Sequence, residues 1–411
     1  MNARADRFPL FDGLRAVAAL SIVAFHAAFF VLSGGPLRKY TAHLDVGVTI
    51  FFLVSGFLLY RPFVRARMRD EPLPATGAYA WRRFLRIAPA YWVALTVVTI
   101  WLSLPDVFGS QAPLYYGFAQ IYDAGAGLGG IAQAWTLCVE VSFYAFLPLW
   151  ALLLRPLPGR GRPDVVALQE LAGLALLFVL SVAYKVWALR QTSPIALDSG
   201  PYLQPLPNFL DQFSIGMGLA VLTVWSQSRG ERPEPRVIAW LRRWPSAPFA
   251  LALVAFWAVS TQIGLTGVLL PPSYPARTFL ERHELYSLIA LGVVAPAIFA
   301  APGRGLAGRL LGNRVVLWLG LVSYSIYLYH LAVVRKLHEW IHVGGADELR
   351  LVFFFVVGAA CSAAVAAVSY YLVERPALSL KRLVRGRGIE SQPAEALVEP
   401  APVAPATSPR G

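Results

Sequence analysis

Arg15 and His26 lie eleven positions apart in the apolar run FDGLRAVAALSIVAFH. Eleven residues make almost three whole helical turns, so both side chains share one face, roughly 16 Å apart along the axis. Ionisable side chains inside a membrane-spanning helix are costly and mark candidate functional sites. Arg15 falls at the cytoplasmic mouth and His26 near the middle of the bilayer. Asp12 sits three positions before Arg15 and can pair with it. The plain alternative is an arginine reaching back to the interface and a histidine satisfied by packing.

Glu140 stands in AWTLCVEVSFYAFLPLW. Counted from the start of its helix near Ile131, it lies roughly 13 Å deep, close to the depth expected for His26. A carboxylate there must be paired or protonated. The matching depth suggests a general-base pair, with Glu140 holding one ring nitrogen of His26 and leaving the other free. A structural ion pair is the alternative.

The segment LGLVSYSIYLYHLAV puts Ser323, Tyr327 and His330 at i, i+4 and i+7, on one helix face. An aromatic face with one histidine suits the hydroxyls of a sugar or polyol. It equally suits an aromatic belt at the membrane interface. Arg83 and Arg86, in AWRRFLRIAPAYW, are three apart at a helix start. Two guanidinium forks at that spacing can grip a phosphate. The neighbouring Arg82 and other loop arginines show that they can also be ordinary loop charge.

The elements that position these groups are membrane helices. The chain has 411 residues, 57% of them hydrophobic and only 14% charged. Globular chains carry about 25% charged residues, and the mean hydropathy here is +0.56. A soluble enzyme, a disordered chain and a nucleic-acid binder are disfavoured. The net charge of +13 fits basic loops facing anionic lipid rather than nucleic acid. Cys138 and Cys361 both fall in apolar stretches, which argues against a disulfide framework.

A bilayer core needs about 20 apolar residues per helix. Ten stretches qualify: 12–33, 45–60, 87–104, 131–154, 167–188, 209–226, 246–267, 285–302, 315–334 and 351–373. The first reads as a retained helix rather than a cleaved signal peptide. Gly216 and Gly218 predict close helix packing in the sixth. Alternate loops hold most of the arginines, among them Arg61 to Arg86, Arg155 to Arg162 and Arg229 to Arg243. By the positive-inside rule both termini are cytoplasmic, which an even number of spans also requires.

The expectation is therefore an all-α integral membrane protein with ten transmembrane helices, multi-pass in the cytoplasmic membrane. Residues 1–385 form the membrane domain. Residues 386–411, rich in Pro and Ala, form a disordered cytoplasmic tail. No GxxxxGK[ST], GxGxxG, HExxH or CxxC pattern occurs, so neither a nucleotide motor nor a dinucleotide or zinc enzyme is supported. No His/Asp/Glu cluster has metal-ligand spacing, and no metal is expected.

Six segments together resemble the membrane acyltransferase-3 family of bacteria. They are 11–26, GVTIFFLVSGFLLYRPF (47–63), RRFLRIAPAYW (82–92), AWTLCVEVSFYAFLP (134–148), LGLVSYSIYLYHLAV (319–333) and YYLVERPAL (370–378). Arg15 and His26 match the family's Arg–His motif, Arg83 and Arg86 its two-arginine motif, and Glu140 the Glu after its Trp-containing motif. The resemblance implies an O-acyltransferase that moves an acyl group, often acetyl, from acyl-CoA to a hydroxyl of a surface glycan, glycolipid or secondary metabolite. Acyl-CoA is then a donor substrate, with no permanently bound cofactor. His26 is implied as catalytic base, and Arg15, Arg83 and Arg86 as donor-binding residues. Many members carry an acidic residue two places before Phe51–Phe52. Here that residue is Thr49, and Asp45 is nearby but out of register.

On this reading the catalytic residues are His26 and Glu140, and Asp12, Ser323, Tyr327 and His330 contact substrate. The partners are acyl-CoA, a hydroxyl-bearing acceptor and membrane lipid, with no nucleic acid. The rival is a transporter or flippase in which Arg15, His26 and Glu140 line a proton or substrate path.

Overall fold

The computed structural model describes residues 8, 10–31, 37–105, 107–192, 199–230, 232–263, 275–299 and 305–383. Every regular element among the described residues is a helix, with no strand. In chain order the helices are α1 (Leu10–Val31), α2 (Arg38–Thr41), α3 (Gly47–Met68), α4 (Thr76–Leu102), α5 (Ala112–Tyr116), α6 (Trp135–Leu154), α7 (Pro163–Gln191), α8 (Gly200–Leu203) and α9 (Leu210–Ser228). There follow α10 (Arg236–Arg243), α11 (Ser246–Thr261), α12 (Ala276–Phe299), α13 (Gly305–Leu311), α14 (Arg314–Leu321), α15 (Ser323–Trp340), α16 (Asp347–Ser369) and α17 (Arg375–Ser379).

Among the described residues, eight helical stretches are long and apolar enough to cross a bilayer unbroken, and two further candidates are bent pairs. The seventh and ninth expected spans are these pairs. α10 and α11 meet at 82° and α14 and α15 at 77°. Pro245 separates the first pair, and its missing N–H and fixed φ stop α10 from continuing. Large apolar side chains stay exposed on the outside of the bundle, such as Leu168 and Leu253, both at 70% or more. A surface of that kind suits lipid rather than water.

The third expected span began at residue 87, but α4 starts at Thr76. Arg82, Arg83 and Arg86 are thus carried inside the helix rather than ahead of it. The second span also runs further than expected, through Pro62 to Met68. Its last turns are polar, yet they stay in the bundle because α7 satisfies them. Arg67 is buried against Glu170, and Tyr60 donates to the same carboxylate. The expected boundary between membrane domain and tail falls beyond Leu383, outside the described residues.

α1 is the central element, packed against α3, α14, α15 and α16. Its buried face carries Gly13 and Ala16, Ala18, Ala19, Ala27 and Ala28, small enough to let neighbouring backbones close in. α3 and α9 touch through glycines on both sides. A Cβ on Gly216 would strike the Leu53 carbonyl, and one on Gly56 the Phe213 carbonyl. Phe213 itself stacks on Phe143 at 4.0 Å and on Phe52 at 4.8 Å. Gly218 faces outward by comparison, with Leu171 only at 4.0 Å.

Candidate functional site

Two cavities run into the bundle. The smaller, about 100 Å³, lies toward the end that carries the basic loops. Arg15 from α1, Arg83 and Arg86 from α4 and Glu140 from α6 line it, with Ser323 and Tyr324 from α15. The larger, about 940 Å³, opens toward the other end, and His26 lines it. Val48 and Tyr327 line both. They form the wall where the two spaces meet.

The three arginines are held differently. Arg15 reaches Asp12 at 3.5 Å. Arg86 is ion-paired with the fully buried Glu374, whose other oxygen accepts from Ser325 Oγ at 3.2 Å. Glu374 closes a π-helical turn, Tyr370–Glu374, between α16 and α17, a distortion often found at functional sites. Arg83 packs over the Tyr144 ring at 5.9 Å. Its Nε is buried and has no hydrogen-bond partner among the described residues.

Glu140 belongs to this arginine-lined space. Its Oε1 accepts from Ser55 Oγ at 2.8 Å and from Tyr144 at 2.7 Å. The expected pairing of Glu140 with His26 is not what the fold makes. The two line different cavities, with Val48 of α3 and Tyr327 of α15 lining both, and the carboxylate turns to donors on α3 and its own helix. The ring partner of His26 is His330, with His26 Nδ1 3.1 Å from His330 Nε2. The ring centroids are 4.9 Å apart at 60°.

The other expected contacts are placed as follows. Asp12 does not line either cavity; it holds Arg15, and its backbone presses on Gly320 so closely that no Cβ fits there. Ser323 lines the smaller cavity. Tyr327 stands at the dividing wall, its hydroxyl donating to the Gln133 carbonyl at 2.7 Å and sharing a 2.6 Å bond with Thr136. His330 is fully buried and touches His26 rather than facing open space. Thr49 lines the larger cavity, and so does Asp45, which is ion-paired with Arg282 and accepts from Tyr286.

Several polar groups were not singled out in the sequence. Glu374 is the clearest, because an acidic residue in AAVSYYLVERP is open to the same intramembrane argument as Glu140. Lys185, Asp211 and His283 are another case. Lys185 and Asp211 are fully buried and ion-paired, and His283 Nε2 lies 3.2 Å from Asp211. This cluster ties α7, α9 and α12 together and sets His283 in the wall of the larger cavity.

A family profile described as an acyltransferase domain matches residues 9–371. The chain belongs to this acyltransferase family. Among curated relatives of this acyltransferase, a peptidoglycan O-acetyltransferase of Listeria monocytogenes is 24% identical over 383 residues. The match covers 90% of this chain and 55% of that protein. A putative peptidoglycan O-acetyltransferase of Bacillus subtilis is 25% identical, with 90% and 54% covered. Nodulation protein 10 of Rhizobium leguminosarum is 25% identical over 399 residues, with 90% and 93% covered. The chain thus spans about half the length of the first two and nearly all of the third. No solved structure matches it.

Proposed function

We propose that this acyltransferase moves an acetyl or other short acyl group from acyl-CoA to a hydroxyl of a glycan, glycolipid or secondary metabolite. The observation that carries the reading is the division of the interior. Arg15, Arg83 and Arg86 line one cavity, His26 lines the other, and Val48 and Tyr327 line both. The relatives named for peptidoglycan O-acetylation favour a glycan as acceptor. Neither the family match nor these relatives favour a transporter.

The basic end is taken as cytoplasmic, by the positive-inside rule. The donor's phosphates then meet Arg83 and Arg15 from the side where CoA is available. The rise from Arg15 to His26 is about 16 Å, of the order of the donor's pantetheine arm. The acceptor enters the larger cavity from the opposite side. His26 takes the proton of the acceptor hydroxyl as the oxygen bonds to the thioester carbonyl carbon. The tetrahedral centre collapses, the C–S bond breaks, and the thiolate leaves with the proton that His26 held. An ester and free CoA result. A route through an acyl group on His26 uses the same residues in two steps.

Label supplied as acyl-CoA to the protein in proteoliposomes should appear on the acceptor, with release of CoA. Absence of both transfer and thioester cleavage, with envelope glycan present, would overturn the reading. Reporter fusions after Gly125 and Gly344 should read outside, and after Gly159 and Gly230 inside; the reverse pattern would exchange the donor and acceptor sides.

A further inference from the structure

His330 stands on α15 with no exposed surface. Its Nδ1 lies 2.9 Å from the Tyr327 carbonyl oxygen and 3.2 Å from that of Ile326. A carbonyl only accepts, so Nδ1 carries the hydrogen, and Nε2 of the neutral ring offers a lone pair. That lone pair is 3.1 Å from His26 Nδ1. Nδ1 of His26 must then be the donor. The Ile22 carbonyl, 3.0 Å from the same atom, asks for the same hydrogen. The bare nitrogen of His26 is therefore Nε2.

We propose that His330 is the positioning residue for His26, fixing its tautomer and ring orientation so that Nε2 receives the acceptor's proton. The inference rests on the reading of His26 as general base. It gives His330 the task that Glu140 was expected to perform, and it removes His330 from direct contact with the acceptor. Both of its nitrogens are already engaged.

The second imidazole does more than orient. When His26 gains a proton at Nε2, its bond to His330 becomes charge-assisted and shortens. His330 thereby stabilises the imidazolium that forms during transfer, as a carboxylate does in other base pairs. A relay through the pair ends at His330, because its Nδ1–H faces backbone carbonyls, which take up no proton. A brace holds His330 in turn. Gln133 Nε2 donates to the Tyr327 and Leu328 carbonyls at 3.0 and 3.1 Å. The Tyr327 carbonyl thus accepts from both His330 and Gln133, and the short turn before α6 is locked to α15 beside the base.

The test combines two variants with a measurement on the unaltered protein. His330→Leu removes the acceptor for His26 Nδ1. With labelled acetyl-CoA as donor and envelope glycan as acceptor, kcat should fall by roughly 10²-fold or more, with both KM values little changed. His330→Gln offers an amide oxygen to His26 and N–H groups to the carbonyls, and should recover about tenfold of that loss. Nitrogen-15 NMR of labelled histidine in the unaltered protein should find His26 in the Nδ1–H tautomer, which needs no variant to fold. Wild-type kcat in His330→Leu, or His26 in the Nε2–H tautomer, would overturn the positioning role and leave His26 as base. Wild-type transfer by His26→Ala would overturn the reading of His26 itself.

Discussion

Arg86 is ion-paired with Glu374 across α4 and the π-helical turn, while Arg83, one turn earlier, keeps its Nε without a hydrogen-bond partner among the described residues. Two arginines that look equivalent in the sequence therefore have different work. Arg86→Ala strands a buried carboxylate, which costs about 3–5 kcal/mol. It should lower the thermal unfolding midpoint in detergent, and adding Glu374→Gln should restore part of the loss. Arg83→Ala should leave the midpoint unchanged and weaken acyl-CoA binding roughly ten- to a hundredfold, the loss of a charge-assisted contact. Arg83→Lys should restore binding only in part, since Lys lacks the planar fork. Unchanged donor affinity in Arg83→Ala would reduce Arg83 to ordinary positive-inside charge.

Glu140 and His26 line different cavities and share no hydrogen-bond partner among the described residues. Effects at independent sites add in free energy. Glu140→Gln and His26→Ala should therefore multiply in a double variant, measured as kcat/KM, as far as the residual rate can be followed. Glu140→Gln should act through donor affinity, because its carboxylate sits among the arginines. A double variant no worse than His26→Ala alone would mean the two act as one unit and would restore the direct pair.

How far the sequence reached depends on what kind of signal each residue leaves. Helix identity was legible because an apolar run of about twenty residues matches the thickness of a bilayer and little else in a protein. The division of labour among polar groups was not. Depth along a helix can be counted from sequence, and that count put Glu140 level with His26. Azimuth between helices cannot be counted, and α15 supplied the nearer partner. His330 was visible as a histidine on an aromatic face with Tyr327, but which helix that face meets is set by packing. The bends at Pro245 and Val322 show the same limit, since hydropathy counts residues and not angles. Glu374 was legible in principle, as an acid within an apolar segment.

The glycines of α9 separate packing from composition. A methyl on Gly216 has to displace the Leu53 backbone, whereas one on Gly218 meets only the tip of Leu171 at 4.0 Å. Gly216→Ala should destabilise by about 1–3 kcal/mol, in the range of overpacked cores. Gly218→Ala should be close to neutral or slightly stabilising. Thermal unfolding in detergent reads both. Equal midpoints for the two variants would show that α3 and α9 do not approach as closely as described.

The central claim is that His26 is the base for acyl transfer, and one comparison tests it most directly. Unaltered protein and His26→Ala are reconstituted side by side with labelled acetyl-CoA and envelope glycan. Label on the glycan, CoA release and donor binding are followed together. If His26 is the base, the unaltered protein transfers label and the variant loses about 10²–10⁴-fold, with donor binding retained because Arg15 and Arg83 are untouched. Turnover near the unaltered level in a folded, donor-binding His26→Ala protein would contradict it.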